Sequence, residues 1–193
     1  MTLNFILPVL SYLIGSCPTA YILTRAFKKV DIRKTGSGNV GGINTLRTAG
    51  LLPGLLTGLG DVGKGILVVL LVRSFSDSSY LLALCSFLVI FGHNFSIYIG
   101  FKGGKGLATT FGVLIVLFPF VLLWAIVIAL ILTFLLRDTN TAFGYAALSL
   151  PIVFIFLSGA HEWALFGTAA ALVIALKHLP DFRAYRIGRR KLL

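Results

Sequence analysis

The chain has 193 residues, of which 58% are hydrophobic and only 12% charged, and its mean hydropathy is +0.98. Water-soluble domains carry about a quarter of their residues as charges, so this balance excludes a soluble globular protein and points to lipid as the solvent. The 17 Lys and Arg outnumber the 6 Asp and Glu, but in so apolar a chain the excess serves membrane orientation rather than nucleic acid.

Six apolar runs, 3–24, 54–72, 80–99, 107–136, 141–158 and 162–176, fill about two thirds of the chain and leave no room for a second domain, so residues 1–193 are expected to form a single integral-membrane domain. Continuous runs of about 20 apolar residues fit membrane helices and not a barrel, which predicts an all-α fold. The first run is followed by Arg25, Lys28 and Lys29 instead of a small-residue cleavage site, which predicts a retained helix. The fourth run would be about 45 Å long as one helix, more than tilt absorbs, and Pro119 offers a break.

The basic residues decide the number of crossings. They form three clusters: Arg25, Lys28, Lys29, Arg33, Lys34 and Arg47; Lys102 and Lys105; and Lys177, Arg183, Arg186, Arg189, Arg190 and Lys191. Placing all three on the cytoplasmic side needs an even number of crossings between Lys105 and Lys177, which a hairpin at Pro119 supplies. The expectation is a polytopic protein of seven transmembrane helices, N-terminus outside and C-terminus cytoplasmic, with Arg137 inside and Arg73 outside. Cys17 and Cys85 lie inside apolar runs, where free cysteine behaves as a small hydrophobe.

Two cytoplasmic loops are rich in glycine. Loop one holds Gly36, Ser37, Gly38, Asn39, Gly41, Asn44 and Arg47; loop three holds Lys102, Gly103, Gly104, Lys105 and Gly106. Glycines let successive backbone N–H groups converge, and such a nest before a helix N-terminus holds a phosphate. Tight turns between helices would also account for glycine, but two such loops on one membrane face, both with cations, favour phosphate. Neither is a Walker A motif, because Gly106 and not Ser or Thr follows Lys105. Asp61 and Lys64, three apart near the cytoplasmic end of the second run, share a helix face, and ionisable groups within a membrane segment are paired or functional. An interfacial ion pair with Lys64 snorkelling is the plainer alternative.

His161 lies in an outer turn away from these motifs. His93 closes the third run, and His178 follows the last run beside the basic tail, both on the cytoplasmic side, where they are candidates for acid–base work or phosphate contact. No Cys, His or carboxylate cluster has metal-ligand spacing, so no metal and no cofactor is expected.

These motifs resemble those of the bacterial membrane acyl-phosphate:glycerol-3-phosphate acyltransferases, the PlsY family. The resemblance runs through Gly15-Ser16-x-Pro18, the Gly36–Arg47 loop, Asp61-x-x-Lys64-Gly65, Gly92-His93 and Phe101-Lys102-Gly103-Gly104-Lys105-Gly106-Leu107-Ala108-Thr109, and His178 with its basic tail. It implies an inner-membrane, multi-pass enzyme with its active site at the cytoplasmic face. The implied reaction moves an acyl group from acyl phosphate to the 1-hydroxyl of sn-glycerol 3-phosphate, yielding lysophosphatidate and phosphate, with membrane lipids around the protein and an acyl-phosphate-producing enzyme as partner. The implied catalytic set is His93, His178, Lys105 and Ser37. The implied substrate contacts are Gly36, Gly38, Asn39, Gly41, Asn44, Arg47, Asp61, Lys64, Lys102, Gly103, Gly104, Gly106, Asn140 and Asp181. Neither His93 nor His178 has Asp five residues on, so the H-x-x-x-x-D scheme of other acyltransferases is absent.

Several positions depart from the family pattern. Gly42-Ile43 replaces Ala-Thr, Ser96 replaces Pro, Asn140 replaces Ser, and His178-Leu179-Pro180-Asp181 replaces His-Arg-Glu-Asn, while Gly188-Arg189-Arg190 stands for Gly-x-Glu. A transporter of a phosphorylated solute, or a silent homologue that binds lipid phosphates, stays open as an alternative.

Overall fold

The computed structural model describes residues 3–158 and 160–188. Ten α-helices follow one another among them, with no strand: α1 (Leu3–Ser16), α2 (Thr19–Lys28), α3 (Gly42–Ala49), α4 (Leu51–Phe75), α5 (Ser79–Asn94), α6 (Leu107–Leu117), α7 (Pro119–Leu136), α8 (Thr139–Ala147), α9 (Leu150–Ser158) and α10 (His161–Arg186). Single turns of 3₁₀-helix add Ile32–Lys34 and Ile97–Ile99. Arg189, Arg190 and Lys191 of the expected basic tail lie outside the described residues.

Six stretches are long and apolar enough to cross a bilayer: Asn4–Lys28, Leu51–Phe75, Ser79–Ile99, Pro119–Leu136, Thr139–Phe156 and His161–Arg186. α6 is apolar but shorter, about 17 Å of helix. The fourth apolar run is therefore broken as its length required. α6 stops at Leu117, Phe118 takes φ −144° and ψ 68°, and Pro119 opens α7, where its missing N–H costs nothing.

Three other boundaries differ from the expectation. The first run is two helices, because Pro18 has no N–H to offer the Ile14 carbonyl; the Cys17 N–H takes that carbonyl at 3.2 Å and the helix ends. The run 141–158 is likewise divided at Leu148 and Ser149, one turn before Pro151 would lose its own hydrogen bond. Loop one is not all loop, since α3 occupies its second half.

The chain forms two compact units, Met1–Val116 and Leu117–Leu193. In the first, α1 lies along α5, and α4 packs against α5, α2 and α3. Glycine permits the closest approaches: a Cβ on Gly15 would strike the Val89 carbonyl, and one on Gly92 the Tyr12 carbonyl. Gly65 of α4 and Gly112 of α6 meet in the same way, each against the other helix's backbone at Thr109 and Val62. Lipid gives helices no hydrophobic reason to associate, so small residues that let backbones touch supply the packing. In the second unit α7 packs on α8 and α9, and α10 on α8 and α9. Phe118, Phe154, Trp163 and Phe166 meet there edge to face, with ring centroids 4.8–6.0 Å apart.

Candidate active site

The break between α1 and α2 opens a polar cleft inside the first unit. With the helical ladder interrupted at Pro18, the Cys17 carbonyl turns to two local donors, the Thr19 N–H and Lys64 Nζ, each at 3.1 Å. Lys64 Nζ also lies 2.8 Å from Asp61 Oδ1. The same oxygen accepts the Thr19 hydroxyl at 2.5 Å and stands 3.4 Å from His93 Nδ1. Asp61 and Lys64 are buried midway along α4, not near its end as expected, and Lys64 turns inward and does not snorkel. A carboxylate at that depth is tolerable because three donors surround one oxygen.

His93 is the last residue but one of α5, and loop three folds back onto it. The Gly104 N–H donates to the His93 carbonyl at 3.0 Å. A Cβ on Gly103 would collide with that carbonyl, and one on Gly104 would fill the space beside His93 Nε2 and the Val40 carbonyl. Here glycine is required by close approach rather than by turn geometry alone. Val40 belongs to loop one, so the two glycine-rich loops meet at this point. Ser16, Thr19, Asp61, Lys64, His93 and Gly104 are among the residues lining this cleft, which is narrow.

Loop one is held by Asn44. This buried α3 side chain donates to the carbonyls of Asn39 (2.9 Å), Thr35 (3.1 Å) and Ile32 (3.3 Å), and its Oδ1 accepts the Ser37 N–H at 3.1 Å. Its amide is committed to the loop, which makes Asn44 the organiser of the nest where a direct ligand contact was expected. Gly36 and Gly38 adopt φ of +56° and +71°, a region costly for other residues. Ser37, Gly36, Arg47 and Lys102 are exposed, while Gly38, Asn39, Gly41, Gly103 and Lys105 are half-buried.

Arg33 ties loop one to the rim of the cleft. It pairs with Asp31 through Nη2 at 2.6 Å, donates from Nη1 to the Ile99 carbonyl at 3.1 Å, and sits 5.1 Å over the Tyr21 ring. The Arg33 hydrogen bonds hold the Asp31 carboxyl down at about 2. Ser96 donates its hydroxyl to the Ser16 carbonyl at 2.5 Å and so ties the end of α1 to the segment after α5.

In the second unit, His178 and Asp181 lie inside α10, both buried, and not in a tail beyond the last helix. The helix runs through Pro180. His178 Nδ1 donates to the Ile174 carbonyl at 2.8 Å, and its ring stacks near Phe182, which in turn stacks on Tyr145 at 4.5 Å. Gly144 of α8 makes room for the His178 and Phe182 rings. Asn140 is half-buried in the first turn of α8, after the Asp138 side chain accepts the Thr141 N–H. Thr19 and the Cys17 carbonyl escaped the sequence reading. Pro18, placed between Gly15-Ser16 and Thr19, was the available signal for both.

Lipid-length helices around a buried acid–base cluster define an integral-membrane protein with a polar cleft built into one helix break. The family described as glycerol-3-phosphate acyltransferase matches residues 5–188, and the chain belongs to it. It is 39% identical over 180 residues, 93% of this chain and 92% of the relative, to glycerol-3-phosphate acyltransferase 2 of Moorella thermoacetica. It is 49% identical over 138 residues, 71% and 69% of the two chains, to glycerol-3-phosphate acyltransferase 1 of Deinococcus radiodurans. Its fold is similar to the crystal structure of PlsY (YgiH), an integral membrane glycerol 3-phosphate acyltransferase, in the glycerol 3-phosphate form. The TM-score is 0.89 at 28% identity, covering 98% of this chain and 95% of that one.

Proposed function

We propose that the chain transfers a fatty acyl group from acyl phosphate to the 1-hydroxyl of sn-glycerol 3-phosphate, releasing lysophosphatidate and inorganic phosphate. The observation that carries this reading is the seating of the Gly103–Gly104 loop on His93, above the Asp61–Lys64 pair, in a member of the glycerol-3-phosphate acyltransferase family.

The glycerol oxygen bonds to the acyl carbon and the bond from that carbon to the phosphate oxygen breaks, phosphate leaving with the electron pair. Acyl phosphate is a reactive mixed anhydride, so positioning and charge stabilisation matter more than a covalent nucleophile. Backbone N–H groups of both glycine loops, with Ser37, Asn39, Arg47, Lys102 and Lys105, are assigned to the phosphoryl groups. His93 is assigned as the base that takes the hydroxyl proton. A carboxylate beside Nδ1 favours the tautomer whose Nε2 accepts, and Nε2 is the atom that Gly104 leaves uncrowded. Asp61 and Lys64, being committed to each other, orient His93 in place of binding substrate. For the second unit, acceptor recognition is assigned to His178, Asn140 and Asp181, and the two units are taken to work as one acyltransferase domain in the bacterial inner membrane, with the site on the cytoplasmic face.

Purified protein given radiolabelled glycerol 3-phosphate should make lipid product with acyl phosphate and none with acyl-CoA. Equal rates with acyl-CoA would overturn the donor assignment. Uptake into liposomes without lipid product would make the protein a carrier, and neither result would leave a binder.

A further inference from the structure

α3 belongs to a segment whose glycines and charges would put it in water, yet it exposes two large apolar side chains: Ile43 is 59% exposed and Leu46 42%. The helix beside it fixes its depth. Gly42 stands against α4, where a Cβ would come within 3.3 Å of the Gly54 carbonyl and 3.5 Å of the Gly58 nitrogen. Leu46, one turn on, lies against Gly54. As α3 advances, its contacts on α4 fall back from Gly58 to Gly54, so the two helices run antiparallel.

α4 has no length to spare. From Leu51 to Val72, just short of Arg73, it rises about 32 Å, which the roughly 30 Å of bilayer hydrocarbon uses up. Leu51 therefore stands at one boundary, and Gly58 lies about 10 Å inside it. The start of α3 shares that depth. Val40, two residues earlier, has its carbonyl beside Gly104 at the His93 ring, in the cleft that also holds Asp61.

We infer that loop one and α3 form a re-entrant element: the chain enters the leaflet through loop one, and α3 climbs back to the surface with Ile43 and Leu46 against the acyl chains of the surrounding lipid. This face is continuous with the lipid-facing side of α4, where the exposed Leu51, Leu55 and Leu59 flank the Gly54–Gly58 stripe. The polar residues of α3 take the complementary places. Asn44 and Thr45 are buried, and Arg47, near the surface end, has a stem long enough to carry its guanidinium to the headgroups. Irregular backbone at membrane depth is tolerated only where protein satisfies it. That requirement accounts for the Asn44 amide being spent on the carbonyls of Ile32, Thr35 and Asn39. The arrangement goes beyond the proposed reaction and does not depend on it.

Depth is measurable in the full-length protein in lipid nanodiscs. With Cys17 and Cys85 changed to Ala, one spin label at a time is placed at Ile43, Leu46, Leu55, Leu59 or Lys34. Collisions with oxygen, which concentrates in lipid, are compared with collisions with a water-soluble nickel chelate. Labels at Ile43 and Leu46 should favour oxygen as those at Leu55 and Leu59 do, with Ile43 about 4–5 Å deeper than Leu46. The label at the exposed Lys34 should favour nickel. Nickel preference at Ile43 and Leu46, or equal or reversed depths, would overturn the inference. Should a labelled variant not fold, unaltered protein is irradiated in lipid that carries a diazirine on its acyl chain. Adducts are expected within Gly42–Ala49 as well as at the start of α4, and adducts confined to α4 would overturn the inference. Neither readout needs turnover, so failure of the acyltransferase reading would leave both intact.

Discussion

At the scale of single residues, the Asp61 cluster is the most exacting part of the molecule. Removing one partner of a buried ion pair leaves the other charge uncompensated, which costs about 3–5 kcal/mol. Asp61→Asn should therefore lower the thermal midpoint sharply, while Asp61→Asn with Lys64→Met should regain most of the stability. Neither variant should regain turnover, because His93 loses the group beside Nδ1 in both. Thermal unfolding and initial rates, measured side by side, separate the two effects; full activity in the double variant would show that Asp61 has no part in orienting His93. Gly104→Ala should cost at least about tenfold in kcat/KM, since its Cβ meets the His93 ring and displaces the loop. Gly58→Ala is the control. No atom lies within 4 Å of the position its Cβ would take, mid-helix in α4, so it should stabilise by about 0.5–1 kcal/mol and leave the rate alone.

At the scale of elements, the strut from Arg33 predicts an acid-sensitive loop. The Asp31 carboxyl titrates at about 2 in the folded chain against an ordinary 3.8, so the unfolded chain binds its proton first. The stabilisation from this pair is complete above about pH 4 and is lost as pH falls from there to about 2. It is modest, because the pair is partly solvated. Asp31→Asn should flatten the thermal midpoint across that window, and an unchanged slope would remove the strut from the account. The helix boundaries teach a related lesson. Hydropathy located every apolar run, because lipid exposure depends on side chains. It missed the breaks at Pro18 and at Leu148–Ser149, because these depend on which backbone carbonyl loses its donor. It also stopped the last run at 176, while α10 continues to Arg186 with His178 and Asp181 buried in it. The polar residues there looked like a tail only because their cover comes from α8, remote in sequence.

At the scale of the whole molecule, the parity of the three basic clusters predicts sidedness. Single cysteines at the exposed positions Ser37 and Lys102, in a background with Cys17 and Cys85 changed to Ala, should be labelled only from the cytoplasmic side, and one at Ser76 only from outside. A cysteine at Arg186 should share the side of Lys102, and the opposite result would sink the seven-span arrangement.

Composition and spacing along the chain were enough to establish an all-helical membrane protein, a break of the fourth apolar run at Pro119, and two glycine-rich loops with cations, Arg47 in one and Lys102 and Lys105 in the other, that resemble those of the acyltransferase family. Composition and short-range spacing suffice for these, since lipid sets helix length and glycine spacing marks the loops. Helix packing alone placed the Asp61 carboxylate beside His93 Nδ1, spent the Asn44 amide on loop one, and brought Thr19 and the Cys17 carbonyl to the cleft. Each of those assignments depends on atoms brought within about 3.5 Å by helices packing through glycine, a distance that hydrogen-bond geometry makes decisive and that no periodicity along the chain encodes.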